Sequence, residues 1–122
     1  MYKITINDYF SSAHQLRGYK GKCEALHGHN WKVEIQIEGD KLDDVGLLID
    51  FKDIKTILKN MVDELDHKML NEIKPFDEIN PSSELLAKYI HEKMSDRLPA
   101  EINLLETSVW ESENSKATYY LK

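Results

Sequence analysis

Eight consecutive residues constrain this chain more than any others. From Trp31 to Glu38 the sequence alternates without a break, with Trp31, Val33, Ile35 and Ile37 apolar and Lys32, Glu34, Gln36 and Glu38 polar. A repeat of two places these sets on opposite faces of a β-strand, one buried and one wet. Gly39-Asp40 ends the run. A half-buried strand needs partners in its sheet and a layer over its apolar face, and the rest of the chain supplies candidates for both.

Tyr2 to Ala13 is rich in β-branched and aromatic residues and reads as a strand, bent near Asn7-Asp8. Phe51, Ile54, Ile57, Leu58, Met61, Val62 and Leu65 fall at helical spacing. A helix is therefore expected over about 51–65, with Asp50 as its N-cap. A second helix starts at Asn80-Pro81, with Asn80 as cap and Pro81 at the first helical position. Its stripe is Leu85, Leu86, Tyr89, Ile90 and Met94, and Pro99 lies beyond its end. Ile102–Glu111 and Ala117–Leu121 read as two closing strands. The order ββααββ predicts an α+β fold: a four-stranded antiparallel sheet with two helices on one face. So thin a sandwich leaves sheet edges or an outer face for other subunits to cover.

With 122 residues the chain is expected to form one domain over 1–122. Sixteen Lys+Arg against 22 Asp+Glu give a net charge of −6, which argues against nucleic acid as the main partner. No apolar run approaches the ~18 residues of a membrane span, and the first residues do not read as a signal peptide. Cys23 is the single cysteine, which fits a reducing cytoplasm.

The chemistry concentrates in Cys23-Glu24-Ala25-Leu26-His27-Gly28-His29. Two residues apart on a strand, His27 and His29 share a face. If the strand runs on, that is the buried face of Trp31. His14, at the end of the first strand, is a third imidazole. Three neutral imidazoles with an open fourth position form the ligand set of a catalytic zinc, although hydrogen-bonded surface histidines would read the same way. Cys23 lies in a Gly/Lys loop, where a thiolate near a cation serves as base or nucleophile; a small packed thiol is the alternative. His67 follows Asp66 as either an oriented proton relay or a histidine at a helix C-terminus. Glu111 shares a face with Thr107 and Val109 if its strand is regular. There it either binds a guanidinium-like group or faces water.

Taken in order, these residues resemble the 6-pyruvoyltetrahydropterin synthase family, most closely its carboxy-tetrahydropterin branch. The motifs are Ser12-Ala13-His14, Cys23-x-x-x-His27-Gly28-His29, Leu48-Ile49-Asp50-Phe51, Leu65-Asp66-His67, Asn80-Pro81-Ser82-Ser83-Glu84 and Val109-Trp110-Glu111. The resemblance covers essentially the whole chain. It implies that His14, His27 and His29 hold Zn2+, that Cys23 is the general base, and that Asp66 and His67 relay protons. It also implies that Glu111 anchors a pterin, with Ser82 and Ser83 contacting it. Ser82 stands where family members often carry Thr. The implied fold is the tunnelling fold, usually a homohexamer built as a dimer of trimers with active sites between subunits.

The implied reaction converts 7,8-dihydroneopterin triphosphate to 6-carboxytetrahydropterin, acetaldehyde and triphosphate, toward queuosine. Arg17, Lys20, Lys22 and Lys116 are candidates to grip the triphosphate. Sister activities forming 6-pyruvoyl or 6-hydroxymethyl pterins use the same site, the latter with glutamate in place of the cysteine, and Glu24 stands beside Cys23. A zinc-stabilised binding module that turns nothing over is the alternative outside catalysis.

Overall fold

The computed structural model describes residues 1–21 and 24–122. Strand β1 (Tyr2–His14) and strand β2 (His27–Gly39) pair antiparallel along their full length, from Tyr2 opposite Gly39 to His14 opposite His27. The expected bend at Asn7-Asp8 does not interrupt this ladder. Helix α1 (Phe51–Asp63) and helix α2 (Ser83–Arg97) follow, then strand β4 (Asn103–Ser112) and strand β5 (Ser115–Tyr120). Between the helices, Lys68–Met69 forms a short strand, β3, parallel to β1 at Ser12 and Ala13.

The sheet therefore has five strands in the order β3-β1-β2-β4-β5, and it is mixed rather than four-stranded and antiparallel. Two residues are too few to show a periodicity. β3 is held instead by its neighbours: the His67 amide donates to the Ser11 carbonyl at 2.6 Å, and the Asp66 carboxylate accepts from the Ser11 amide at 2.8 Å.

The alternation in β2 does what its spacing predicts. Trp31, Val33, Ile35 and Ile37 are fully buried. They face Ile6 and Phe10 of β1, Val109 of β4, and the apolar faces of both helices: Ile54, Leu58, Met61 and Val62 from α1, and Leu86, Ala87, Ile90 and Met94 from α2. Burying each such side chain is worth about 1.5–3 kcal/mol. α1 lies against β1, and α2 against β4 and β5.

Three helix expectations are corrected. Phe51 is exposed, and α1 stops at Asp63, so that Leu65 is buried from the following turn. Asp50 does cap α1, accepting from the Lys52 amide. α2 is capped by Ser82, whose Oγ accepts from the Leu85 amide at 3.2 Å, and not by Asn80. The Asn80 amide is already engaged by the backbone of Arg17, which leaves the cap to the next hydroxyl in the chain. The sheet face away from the helices carries Trp110 with the ammonium groups of Lys32 and Lys116 about 5 Å from its ring. Among the described residues no helix is long and apolar enough to cross a membrane.

Candidate active site

Register builds the site. Even-numbered residues of β1 and odd-numbered residues of β2 point to the helix side, so pairing His14 with His27 and Ser12 with His29 brings three imidazoles to one end of the inner face. Trp31 floors the group, with its ring centre 4.8 Å from that of His14 and 5.1 Å from that of His29. Its indole N–H donates to the Ser12 carbonyl. From β4, Glu111 reaches the same place. One ligand atom from each of His14, His27, His29 and Glu111 lies within 4.8 Å of all the others.

The outer hydrogen bonds decide which nitrogens face inward. His14 Nδ1 is 2.8 Å from the Pro81 carbonyl oxygen, and His27 Nδ1 is 2.8 Å from that of Ala25. A carbonyl can only accept, so both Nδ1 atoms carry the proton and both Nε2 atoms keep a lone pair. Those two Nε2 atoms stand 3.1 Å apart. Lone pairs this close require a cation or a proton between them. His29 Nε2 is buried without a hydrogen-bond partner; Glu111 Oε1 is 3.1 Å away but out of line for one.

Burial pushes the His29 pKa below its ordinary value, with His14 and His27 adding to the depression while Glu111 and Glu24 oppose it. The neutral imidazole, which is the ligating form, is thereby favoured. This donor set fits a divalent transition-metal ion: three imidazoles aimed inward, two of them fixed in tautomer from behind.

Beside the histidines opens a hollow of about 360 Å³ lined by His29, Ser83, Glu84, Glu111, Lys116 and Ala117. Ser83, at the first turn of α2, donates to Glu111 Oε2 at 3.3 Å. The Ser82 hydroxyl is spent on its helix cap.

Asp66 and His67 form a pair apart from this cluster, at the β3 edge of the sheet. Asp66 Oδ2 is 2.9 Å from His67 Nδ1, and the His67 side chain is 82% exposed. The Ser11 amide, then the His67 side chain, hold the Asp66 carboxyl below its usual pKa. His67 sits in the left-handed region at φ 54°, a conformation that costs a non-glycine residue energy.

Cys23 and Lys22 lie outside the described residues. Of the other cations considered for a phosphate chain, Arg17 is committed elsewhere. Its guanidinium donates to the carbonyls of Phe76 (2.6 Å), Ile79 (3.1 Å) and Asn71 (3.4 Å). Lys20 lies 5.5 Å from the Tyr19 ring centre.

Glu24 proves to be a neighbour of the cluster, with Oε1 3.7 Å from His27 Nε2. The Pro81 carbonyl that orients His14 had no signal in the sequence, since a backbone oxygen has no letter of its own.

Known proteins match most of this chain in sequence and in fold. The sequence profile of the family described as 6-pyruvoyl tetrahydropterin synthase matches residues 3–122. The chain is 36% identical over 114 residues to a putative 6-carboxy-5,6,7,8-tetrahydropterin synthase of Archaeoglobus fulgidus, covering 93% of this chain and 91% of that one. It is 34% identical over 102 residues to the dihydroneopterin monophosphate aldolase of Pyrococcus furiosus, covering 84% and 82%. Its fold superposes on the 6-pyruvoyl tetrahydropterin synthase of Caenorhabditis elegans with a TM-score of 0.83 at 23% identity, covering 99% and 96%. That last likeness speaks for the fold alone. A profile match over all but the first two residues, together with relatives above 30% identity along most of the chain, means that the chain belongs to the 6-pyruvoyl tetrahydropterin synthase family of pterin-processing enzymes.

Proposed function

We propose that this chain is a zinc-dependent 6-carboxy-5,6,7,8-tetrahydropterin synthase. It takes 7,8-dihydroneopterin triphosphate and releases 6-carboxytetrahydropterin, acetaldehyde and triphosphate, on the way to queuosine. The observation that carries the reading is the convergence of His14, His27 and His29, two with Nδ1 tied back to a carbonyl, beside a hollow edged by Glu111. The choice of branch rests on the three-residue gap between Cys23 and His27 and on the name of the Archaeoglobus relative.

His14, His27 and His29 hold the metal through Nε2. Zinc bound there supplies Lewis acidity toward the oxygens of the pterin side chain. Cys23, four residues before His27, takes and returns protons at Sγ. Glu111 accepts hydrogen bonds from the adjacent N–H groups of the pterin's 2-amino-pyrimidinone edge, one on each oxygen, with the Ser83 hydroxyl also donating to Oε2. Its exposure favours this role over a fourth metal ligand, since its side chain is 39% accessible at the mouth of the hollow.

Asp66 faces His67 Nδ1, which leaves Nε2 free to move a proton. The exposed dyad serves a site completed by a neighbouring subunit. A homohexameric assembly, a dimer of trimers, would bring it there and would cover the free edge of β1, which β3 pairs only at Ser12 and Ala13. The single cysteine favours a cytoplasmic setting.

One observation favours a second reading. Glu24 places a carboxylate 3.7 Å from His27 Nε2, and glutamate replaces the cysteine in the branch forming 6-hydroxymethyl pterins. The Pyrococcus furiosus relative, an aldolase by name, stands at comparable identity.

Incubating the zinc-loaded protein with 7,8-dihydroneopterin triphosphate, and separately with the monophosphate, and identifying the pterin by mass spectrometry tests both. A 6-carboxy product with acetaldehyde supports the synthase. A 6-hydroxymethyl product moves the base to Glu24. No turnover by protein that demonstrably holds zinc refutes the assignment of an enzyme.

A further inference from the structure

Beyond His14 the first strand leaves the sheet, yet its backbone continues to be paired by side chains. Asn71 Oδ1 accepts from the Gln15 amide at 2.9 Å, and Asn71 Nδ2 donates to the Gln15 carbonyl at 2.9 Å. Two residues on, Asn80 repeats the arrangement with Arg17: its Oδ1 accepts from the amide at 2.8 Å and its Nδ2 donates to the carbonyl at 2.9 Å. Leu16, which alternates with them, pairs with Glu24. Its amide donates to Glu24 Oε1 at 3.3 Å and its carbonyl accepts from the Glu24 amide at 3.0 Å. A carboxamide presents one C=O and one N–H side by side, as a peptide unit does, so two asparagines stand in for a missing strand.

The grip is reciprocal. The Arg17 guanidinium donates back to the carbonyls of Asn71, Phe76 and Ile79, so residues 14–17 and 71–81 are tied in both directions. Inside this clasp lies the bond that orients His14, because the Pro81 carbonyl taking its Nδ1 proton belongs to the residue after Asn80. His14 is 1% exposed and Asn71 9%, so little water is available to replace a lost partner.

We infer that Asn71 and Asn80 are positioning residues for His14: they fix the backbone on both sides of the His14–Pro81 bond and so set how tightly the three-histidine site holds its metal. This rests on the metal-site reading proposed above. Neither asparagine needs to touch metal or pterin; losing the direct outer partner of a ligating histidine typically changes metal affinity about 10–100-fold, and residues that hold that partner in place should reach the lower end of the range.

The test is a zinc dissociation constant, measured by chelator competition on protein shown to be folded by circular dichroism. Asn80→Ala should bind zinc about 10-fold more weakly than wild type, the lower end of the range for a direct outer partner. Asn80→Asp keeps the acceptor for the Arg17 amide and loses the donor to its carbonyl, so it should fall between the two. Asn103→Ala is the control, because its amide donates to Glu38 on the wet face, far along the sheet. It should stay within about twofold.

A merely structural clasp would lower the melting temperature of the metal-free protein and leave the zinc constant alone. Cobalt(II) absorption gives a second readout: the visible bands of folded Asn80→Ala should shift as His14 moves. Folded Asn80→Ala binding zinc within about twofold of wild type, with an unchanged cobalt spectrum, would overturn the inference. Should Asn80→Ala not fold, Asn80→Asp and Asn71→Asp carry the same criterion. His14→Ala separates the two levels. If it loses zinc while the asparagine variants keep it, only the positioning role fails; if it binds zinc as wild type does, the metal-site reading fails with it.

Discussion

Replacing Glu111 with glutamine removes one charge and almost no volume, and it separates two roles that the geometry allows the same carboxylate, pterin anchor and metal ligand. As a pterin anchor, the carboxylate accepts two charge-assisted hydrogen bonds from adjacent N–H groups. Each is worth about 1.5–3 kcal/mol net, against about 1 kcal/mol for a neutral bond. Glutamine keeps one acceptor, weakens its bond to the neutral value and turns an N–H toward the second ligand donor, a loss of about 3 kcal/mol. The side chain is 39% accessible, so solvent screening cuts this to roughly half, about 1.5 kcal/mol, or about tenfold in affinity. The Ser83 hydroxyl can still donate to the remaining oxygen, so the side chain stays in place. The assay pairs a fluorescence titration with a neopterin against a zinc competition on the same sample. About tenfold weaker pterin binding with zinc affinity unchanged is the expected result. Weaker zinc binding with unchanged pterin affinity would refute the anchor and make Glu111 the fourth ligand, 3.1 Å from His29 Nε2 as it stands.

Cys23→Ala should retain zinc and lose turnover, while His27→Ala should lose both; normal turnover by Cys23→Ala, read by product mass, would end its assignment as base. Arg17→Gln should cost about 1–3 kcal/mol in urea denaturation, because its guanidinium serves three carbonyls, and should leave the substrate KM unchanged. A raised KM with full stability would return Arg17 to the phosphate-binding candidates. Buried His91 donates to or accepts from Thr107 Oγ1 at 3.0 Å, and burial, opposed by Glu92, depresses its pKa below the ordinary 6.5. Its contribution to stability is therefore present above pH 6.5 and lost as pH falls through the folded value. The metal-free wild type should lose denaturation midpoint over that window more steeply than His91→Gln, and equal slopes would remove His91 from the acid response.

The strands and helices were legible wherever a periodicity ran long enough to exclude its rivals. Trp31 to Glu38 admits only a half-buried strand, and the β2 register follows it back to His27 without a break. The parity of that strand also put His27 and His29 on the inner face before any partner was known. What could not be read depends on backbone atoms of distant segments. β3 exists because Asp66 and His67 bond Ser11, Ser82 caps α2 because Asn80 is occupied by Arg17, and His14 is oriented by a carbonyl 67 residues away. Asn80 shows why the last kind of information is lost. Before a proline and two serines it has every mark of a helix cap, since the carboxamide that would accept from a helix amide is the same group that accepts from Arg17. One side chain can satisfy only one of these, and here it serves the strand end, where the unmet groups would lie close to buried His14. The helix then starts two residues later than its sequence signal, at Ser83 rather than Pro81. The displacement is useful to the site, because Asn80 grips the segment just past β1 at Arg17, Pro81 turns its carbonyl to His14, Ser82 closes the helix and Ser83 reaches Glu111. Four consecutive residues thus join both sides of the candidate site, and a substitution at any of them should be felt at the metal or at the pterin before it is felt in the core.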